Sequence, residues 1–369
     1  MRIFQTLESY ANRAVPVNQT WYRNLYEPLV DMGHDVILFP PNSRPRESFS
    51  QALVDAVRKE HTREPIDLFF AYLTDRMVDP GAIDEVRKLG IPTCNFSCNN
   101  AHQFYVVEQI SPHFDYNLHS ERDTGEKFRA VGANPLWWPM ASNPRYFKPY
   151  DEARTIPASF LGANYALRGR YVLHLLENGL DVHAYGPAWR YGARTPFRSQ
   201  VKRGILMART LTALRPDDQA RASAALAAHD FNRRLGARYP GNMHPPVSDD
   251  EMIRLYSRSH VSLGFVEVYD RHDPSRPVVR HVHLREFEAP MSGALYCTGY
   301  VPELAEFFEP DKDILIYHNE HELLDKVRYY LAHPHQAEVI RRAGHRRALA
   351  DHTSHRRFQQ LLASLGLSK

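Results

Sequence analysis

Glu286 and Glu288 stand one residue apart in the stretch LREFEAPMSGALYCTG, residues 284 to 299, ahead of a glycine-containing turn and a short apolar run. An ionised carboxylate only accepts hydrogen bonds and usually stays in solvent. In the first turn of a helix it is stabilised by the free N–H groups there. The pattern therefore predicts a helix whose first turn holds both acids and which Gly293 closes. Cys94, Cys98 and Cys297 are odd in number, and the C-x3-C spacing of the first two matches neither zinc-ribbon nor redox motifs, which predicts reduced thiols. The twenty histidines show no H-E-x-x-H or paired metal spacing, and Asp311-Lys312-Asp313 reads as a solvated turn, so no metal site is expected.

The elements that must position these residues alternate. MRIFQTL, DVILFP, IDLFFAYLT, IPTCNFS and PLWWPM read as strands, separated by helical patterns such as WYRNLYEPLVDMGH and SFSQALVDAVRKEH. Strict β–α alternation predicts a parallel sheet covered by helices, with ligands gathered at the carboxyl ends of the strands. The stretch ASNPRYFKPYDEARTIPA, with Pro144, Pro149 and Pro157, breaks both periods and marks a linker. The rhythm then restarts with SFLGA, RGRYVLHLLENG and LDVHAYG. Two Rossmann-like α/β domains are expected, residues 1–150 and 151–369, facing a central cleft.

In the second domain, Ser248 and Glu251 have capping-box spacing at the start of SDDEMIRLYSRS, and HVSLGFVEV follows as a strand. Residues 190–238 depart from the rhythm. They carry Arg190, Arg194, Arg198, Lys202, Arg203, Arg209, Arg215, Arg221, Arg233, Arg234 and Arg238 against only Asp217, Asp218 and Asp230. This segment reads as a helical insertion, either simply solvated or a surface for an anionic partner or membrane face.

Composition limits the function classes. A formal net charge of +3 over 369 residues is too mild to argue for nucleic acid, and 43% hydrophobic residues suffice for folded cores. No run approaches the roughly 18 apolar residues of a membrane span. The start, MRIFQTLESYANRAV, lacks the basic-then-apolar pattern of a secretory leader, which together with the odd cysteine count predicts a cytoplasmic protein.

Taken together, SDDEMIRLYSRSHVSLGF, LREFEAPMSGALYCTGYVPELAEFFEPDKDILIY, ELLDKVRYYLAHP and AGHRRALADHTSHRRFQQLL resemble consecutive blocks of GT-B glycosyltransferases with a family-4-like C-terminal domain, in particular the spore-maturation CgeB-like branch. FLGANYALRGR is similar to the opening of that domain. The resemblance implies a nucleotide-diphosphate sugar (UDP-, GDP- or TDP-linked) held by the second domain, an unspecified acceptor held by the first, and no further cofactor. It implies that Glu288 accepts hydrogen bonds from the ribose hydroxyls and that Arg285 faces the diphosphate. Gly162, at a tight turn, would allow close approach to a ligand, Arg168 or Arg170 would neutralise the leaving diphosphate, and Tyr185 and Gly186 would line the base. Arg280 stands where related enzymes often carry a second glutamate for the sugar, and Ala163 where they often carry an arginine.

In a GT-B arrangement the loops after the first-domain strands face the cleft. They offer Asp75, Asn99, Asn100 and His102 as catalytic or sugar-binding candidates, with Asn12, Arg13 and Asn18 in the first loop. The expected reaction is metal-independent glycosyl transfer with a retaining outcome; the alternatives are a nucleotide-sugar-binding module without catalysis and a nucleotide-sugar epimerase of the same fold.

Overall fold

The computed structural model describes residues 1–7, 19–41, 44–189, 196–212, 216–270 and 278–367. Asn12, Arg13, Asn18, Arg190, Arg194 and Arg215 lie outside them.

The first sheet has the order β2-β1-β3-β4-β5-β6, formed by β1 (Arg2–Thr6), β2 (Asp35–Leu38), β3 (Leu68–Ala71), β4 (Thr93–Ser97), β5 (Tyr116–His119) and β6 (Pro135–Trp137). Every pairing is parallel, as the β–α alternation requires. Such strands are buried on both faces and read as apolar runs. Successive residues serve opposite layers: Ile3, Leu68 and Phe70 join one core, while Phe4, Phe69 and Ala71 join another with Phe49, Leu53, Ile83 and Phe128.

The second sheet repeats the plan with β7 (Ile156–Leu161), β8 (Val182–Tyr185), β9 (Met243–His244), β10 (Ser259–Leu263), β13 (Tyr296–Gly299) and β14 (Leu315–Tyr317), in the order β14-β13-β10-β7-β8-β9. A separate antiparallel hairpin pairs β11 (Glu267–Tyr269) with β12 (Val278–Arg280). The expected strand HVSLGFVEV is thus broken. At Gly264 an added Cβ would lie 2.3 Å from the Tyr296 hydroxyl, and beyond it the chain leaves the sheet for the hairpin.

Local signals end where they should. Ser248 Oγ accepts from the Glu251 amide at 3.2 Å, Asn319 Oδ1 accepts from His321 and Glu322, and Gly293, with φ of 73°, closes the helix Arg285–Met291. The three cysteines are buried free thiols.

The proline-marked stretch is pinned between the sheets. Tyr146 donates to Glu27 at 2.7 Å, the Tyr150 amide donates to Ser257 Oγ at 2.9 Å, and Asn143 donates to the Arg23 carbonyl. The last helix, Ser354–Ser364, packs under the first sheet: Phe358 lies 5.4 Å from Phe70 and 5.2 Å from Trp138, whose indole donates to the Arg357 carbonyl. One apolar core therefore runs from Ile3 and Phe96 through Trp138 and Phe358 to Phe287 and Phe307. It fixes the two sheets against each other so that their carboxyl-end loops meet. Among the described residues no helix is long and apolar enough to cross a membrane.

Candidate functional site

The site forms where three carboxyl-end loops converge. After β7 the chain turns at Gly162, and two guanidinium groups flank that turn. Arg285 Nε donates to the Leu161 carbonyl at 2.9 Å and Arg168 Nη1 to the Ala163 carbonyl at 3.1 Å. Arg168 is only 8% exposed; its guanidinium lies 3.8 Å from the Tyr165 ring centre and 5.3 Å from that of Phe160, and its Nε has no hydrogen-bond partner. Burial, and then the neighbouring Arg285 charge, hold its pKa below the usual arginine range. A buried cation with a second, half-buried one beside it costs free energy unless an anion joins them.

Among the described residues, Glu288 is the one carboxylate that forms an ion pair at this turn, with Arg285 alone. It is fully buried, its Oε2 takes an ion pair from Arg285 one helical turn back, and its Oε1 has no partner. Burial raises its pKa, with the Arg285 charge opposing. Glu286 points elsewhere. Its oxygens accept from Thr298 Oγ1 at 2.9 Å, Tyr296 Oη at 3.2 Å and the His283 amide at 2.8 Å, so it ties the helix to β13.

Other expected residues take distinct places. Arg170 is exposed, about 200° around the helix Arg168–Glu177 from Arg168. Tyr185 is half-buried, with one ring face covered by His244 at 4.3 Å. Gly186 has φ of 147°, and a Cβ there would meet the Gly162 carbonyl oxygen at 2.2 Å, so the two glycines let the β7 and β8 turns touch. At Gly162 the nearest obstacle to a Cβ is the Phe160 ring at 2.9 Å, so a side chain there would have to displace that ring. Arg280 forms an ion pair of 3.2 Å with Glu267, which also accepts from Tyr171.

The first domain brings His102 to the same place. Its ring stacks on His281 at 5.3 Å between centres, and His281 lies 4.3 Å from His283. Nδ1 of His102 and Nε2 of both His281 and His283 are buried without partners. Burial, and then the His281 neighbour, push His102 down to about 4; burial likewise holds His281 at about 4 and His283 well below its ordinary value. These imidazoles are neutral at pH 7, able both to donate and to accept hydrogen bonds.

Asn99, in the left-handed region at φ of 63°, starts the loop that carries His102. Glu121, wholly buried at the end of β5, accepts from the Asn99 amide at 2.6 Å and the Asn100 amide at 3.1 Å, and its Oε1 reaches within 3.6 Å of His281 Nδ1 in the other domain. Asp75 accepts from the amides of Gln109 and Ile110 and clamps the segment that follows His102.

Nothing in the sequence singles out His281, His283 or Glu121; the one local signal is that the two histidines stand directly ahead of LREFE, without metal-ligand spacing. Among the described residues no group of three or more histidine, cysteine, aspartate or glutamate side chains could hold a metal ion.

Glu121 carries a pH signature. Burial pushes its carboxyl up to about 7 from 4.5, against the opposing effect of its hydrogen-bond donors. A carboxyl raised in the fold contributes stability that is complete below the unfolded value and lost as pH rises to about 7. The amide introduced by Glu121→Gln does not titrate. The destabilisation caused by this substitution is therefore expected to be largest at and below pH 4.5 and smaller by about 2–3 kcal/mol at pH 8, measured by urea denaturation. A difference independent of pH would contradict this.

Residues 220–363 match the model of a family described as glycosyl transferase-like. No curated protein matches the sequence. Several solved structures share the whole architecture. A sucrose-phosphate synthase from Thermosynechococcus elongatus superposes with a TM-score of 0.60 at 13% identity, covering 100% of both chains. The Anabaena protein HepE, solved with UDP and glucose, gives 0.58 at 13% identity over 99% of each chain. A putative UDP-N-acetylglucosamine 2-epimerase from Listeria monocytogenes gives 0.54 at 9% identity, covering 100% of this chain and 97% of that one. At such identities the likeness speaks for the fold alone, and the two parallel-sheet domains with their facing loops are those of the GT-B glycosyltransferase fold.

Proposed function

We propose that the protein is a glycosyltransferase that moves a sugar from a nucleotide-diphosphate donor to an acceptor, without a metal and with retention. The observation that carries this reading is the pair Arg168 and Arg285 gripping the Leu161 and Ala163 carbonyls on either side of Gly162, beside the half-paired carboxylate of Glu288. In this reading Arg168 Nε and the exposed part of Arg285 receive the diphosphate, whose charge grows as the glycosidic bond breaks. Glu288 Oε1 accepts from a ribose hydroxyl, and Tyr185 and Gly186 line the base. The neutral imidazoles of His102, His281 and His283 face the sugar, with Asn99 and Glu121 holding the His102 loop. A cleft closed by loops of both domains would keep water from the reacting carbon. The family match over residues 220–363 supports a transferase.

Glu288→Ala is expected to weaken nucleoside-diphosphate binding by roughly 1.5–3 kcal/mol, the value of a hydrogen bond to a charged group. Unchanged affinity in calorimetry with an intact fold would remove Glu288 from the site. An epimerase is the second reading, favoured by the likeness to the Listeria protein. Incubation with UDP-, GDP- and TDP-sugars and candidate acceptors separates the two. Transfer gives free nucleoside diphosphate and a glycoside; an epimerase returns a nucleotide sugar with one inverted centre, or its hydrolysed form. Binding without any product would leave a binding module.

A further inference from the structure

The basic insertion forms two packed helices, Pro196–Thr212 and Pro216–Arg238. The second is seated on the domain. Leu235 is buried in its core, Phe231 packs beside Gly169, and Asn164 donates to Asn232 Oδ1 at 3.0 Å. The first helix lies outside it and behaves differently. It holds four cations, Arg198, Lys202, Arg203 and Arg209, and no acid. Among its described residues, the large apolar side chains of Val201 at 46%, Ile205 at 50% and Met207 at 40% are strongly exposed.

Their arrangement is ordered. Arg203, bonded to Asp230 of the second helix at 2.9 Å, and half-buried Leu206 mark the inward face. At about 100° per residue, Val201, Ile205, Ala208 and Thr212 fall within an arc of about 60° on the opposite face. All four are exposed, and exposed Lys202 and Arg209 flank them on one side.

We propose that this face docks the protein on an anionic lipid bilayer, the helix lying in the plane of the interface with Val201 and Ile205 inserted and Lys202 and Arg209 at the headgroups. An apolar stripe flanked by cations is the composition that such a surface takes up. A second copy of the chain fits less well, because a two-fold contact through this face would set Lys202 and Arg209 close to their own copies. A nucleic acid would leave the central aliphatic side chains unused. The docking does not depend on the reading of the nucleotide site.

The test is flotation of the full chain with phosphatidylcholine vesicles, with and without about 30% phosphatidylglycerol, at low and high salt. The chain is expected to float with the anionic vesicles only, and less at high salt. Val201→Ser with Ile205→Ser, and separately Lys202→Glu with Arg209→Glu, are each expected to weaken binding roughly tenfold or more, with helix content and nucleoside-diphosphate affinity unchanged. Three outcomes would overturn the proposal. These are no flotation with anionic vesicles, flotation undiminished in both double variants, and a concentration-dependent dimer that the Val201→Ser, Ile205→Ser variant dissociates.

Discussion

Arg168→Met is expected to lower donor turnover roughly 100- to 1,000-fold, the usual effect of removing one preorganised donor aimed at developing charge. The fold should keep its stability or gain some. Arg168 is 8% exposed and, among the described residues, pairs with no carboxylate; the one side-chain hydrogen bond it makes is to the Ala163 carbonyl, and its aromatic neighbours Tyr165 and Phe160 would accept a methionine. Removing an unpaired buried cation relieves a desolvation cost while the unbranched side chain refills the volume. The check is thermal unfolding beside an assay of nucleoside-diphosphate release. Lost turnover with an equal or higher Tm fits a group kept for function at the expense of stability. A lower Tm with normal turnover would make Arg168 a packing residue.

Arg285→Ala is expected to do the opposite to stability. It strips the ion-pair partner from Glu288, a carboxylate with no exposure, and breaking a buried pair from one side costs about 3–5 kcal/mol. The cost has a pH dependence whose sign follows from burial. Without Arg285 nothing offsets the desolvation that already raises the Glu288 carboxyl. Its folded pKa then stands further above the unfolded value, so stability falls as pH rises through it, and the variant should recover part of its loss near pH 5. Adding Glu288→Gln to Arg285→Ala should restore stability at pH 7 but not nucleotide affinity. Urea denaturation of the single and double variants at pH 5 and 7 measures both statements. If Arg285→Ala costs nothing at either pH, the pair is solvated and the described geometry is wrong.

Much of the architecture was legible because parallel strands buried on both faces leave apolar runs of fixed length between amphipathic helices. The cap at Ser248 and the closing Gly293 were legible for the same reason, since each depends on residues within a few positions. What escaped were relations over long distances. The apolar side of RRFQQLL calls for a cover, but nothing local says that Phe70 and Trp138 of the first domain supply it. Gly264 reads as an ordinary strand residue until the Tyr296 hydroxyl is placed against it.

The site divides along the same line. Arg285 and Glu288, three residues apart on one helix, make the contact that their spacing allows. Arg168 and Arg170 could not be separated without the helix axis, which buries the first and exposes the second. Glu121 and His281 lie 160 residues apart and in different domains, so no pattern in either segment announces their contact. His281 and His283 gain their meaning from His102 and Arg168 around them.

The most direct measurement is a calorimetric titration of the purified chain with UDP, GDP and TDP and with the matching monophosphates. One diphosphate is expected to bind, the monophosphate of the same base at least roughly tenfold more weakly, and the gap to close in Arg168→Met, because a charge-assisted contact to the second phosphate contributes more than about 1.4 kcal/mol. No diphosphate binding, or equal affinity for mono- and diphosphate, would contradict a diphosphate seat at Gly162.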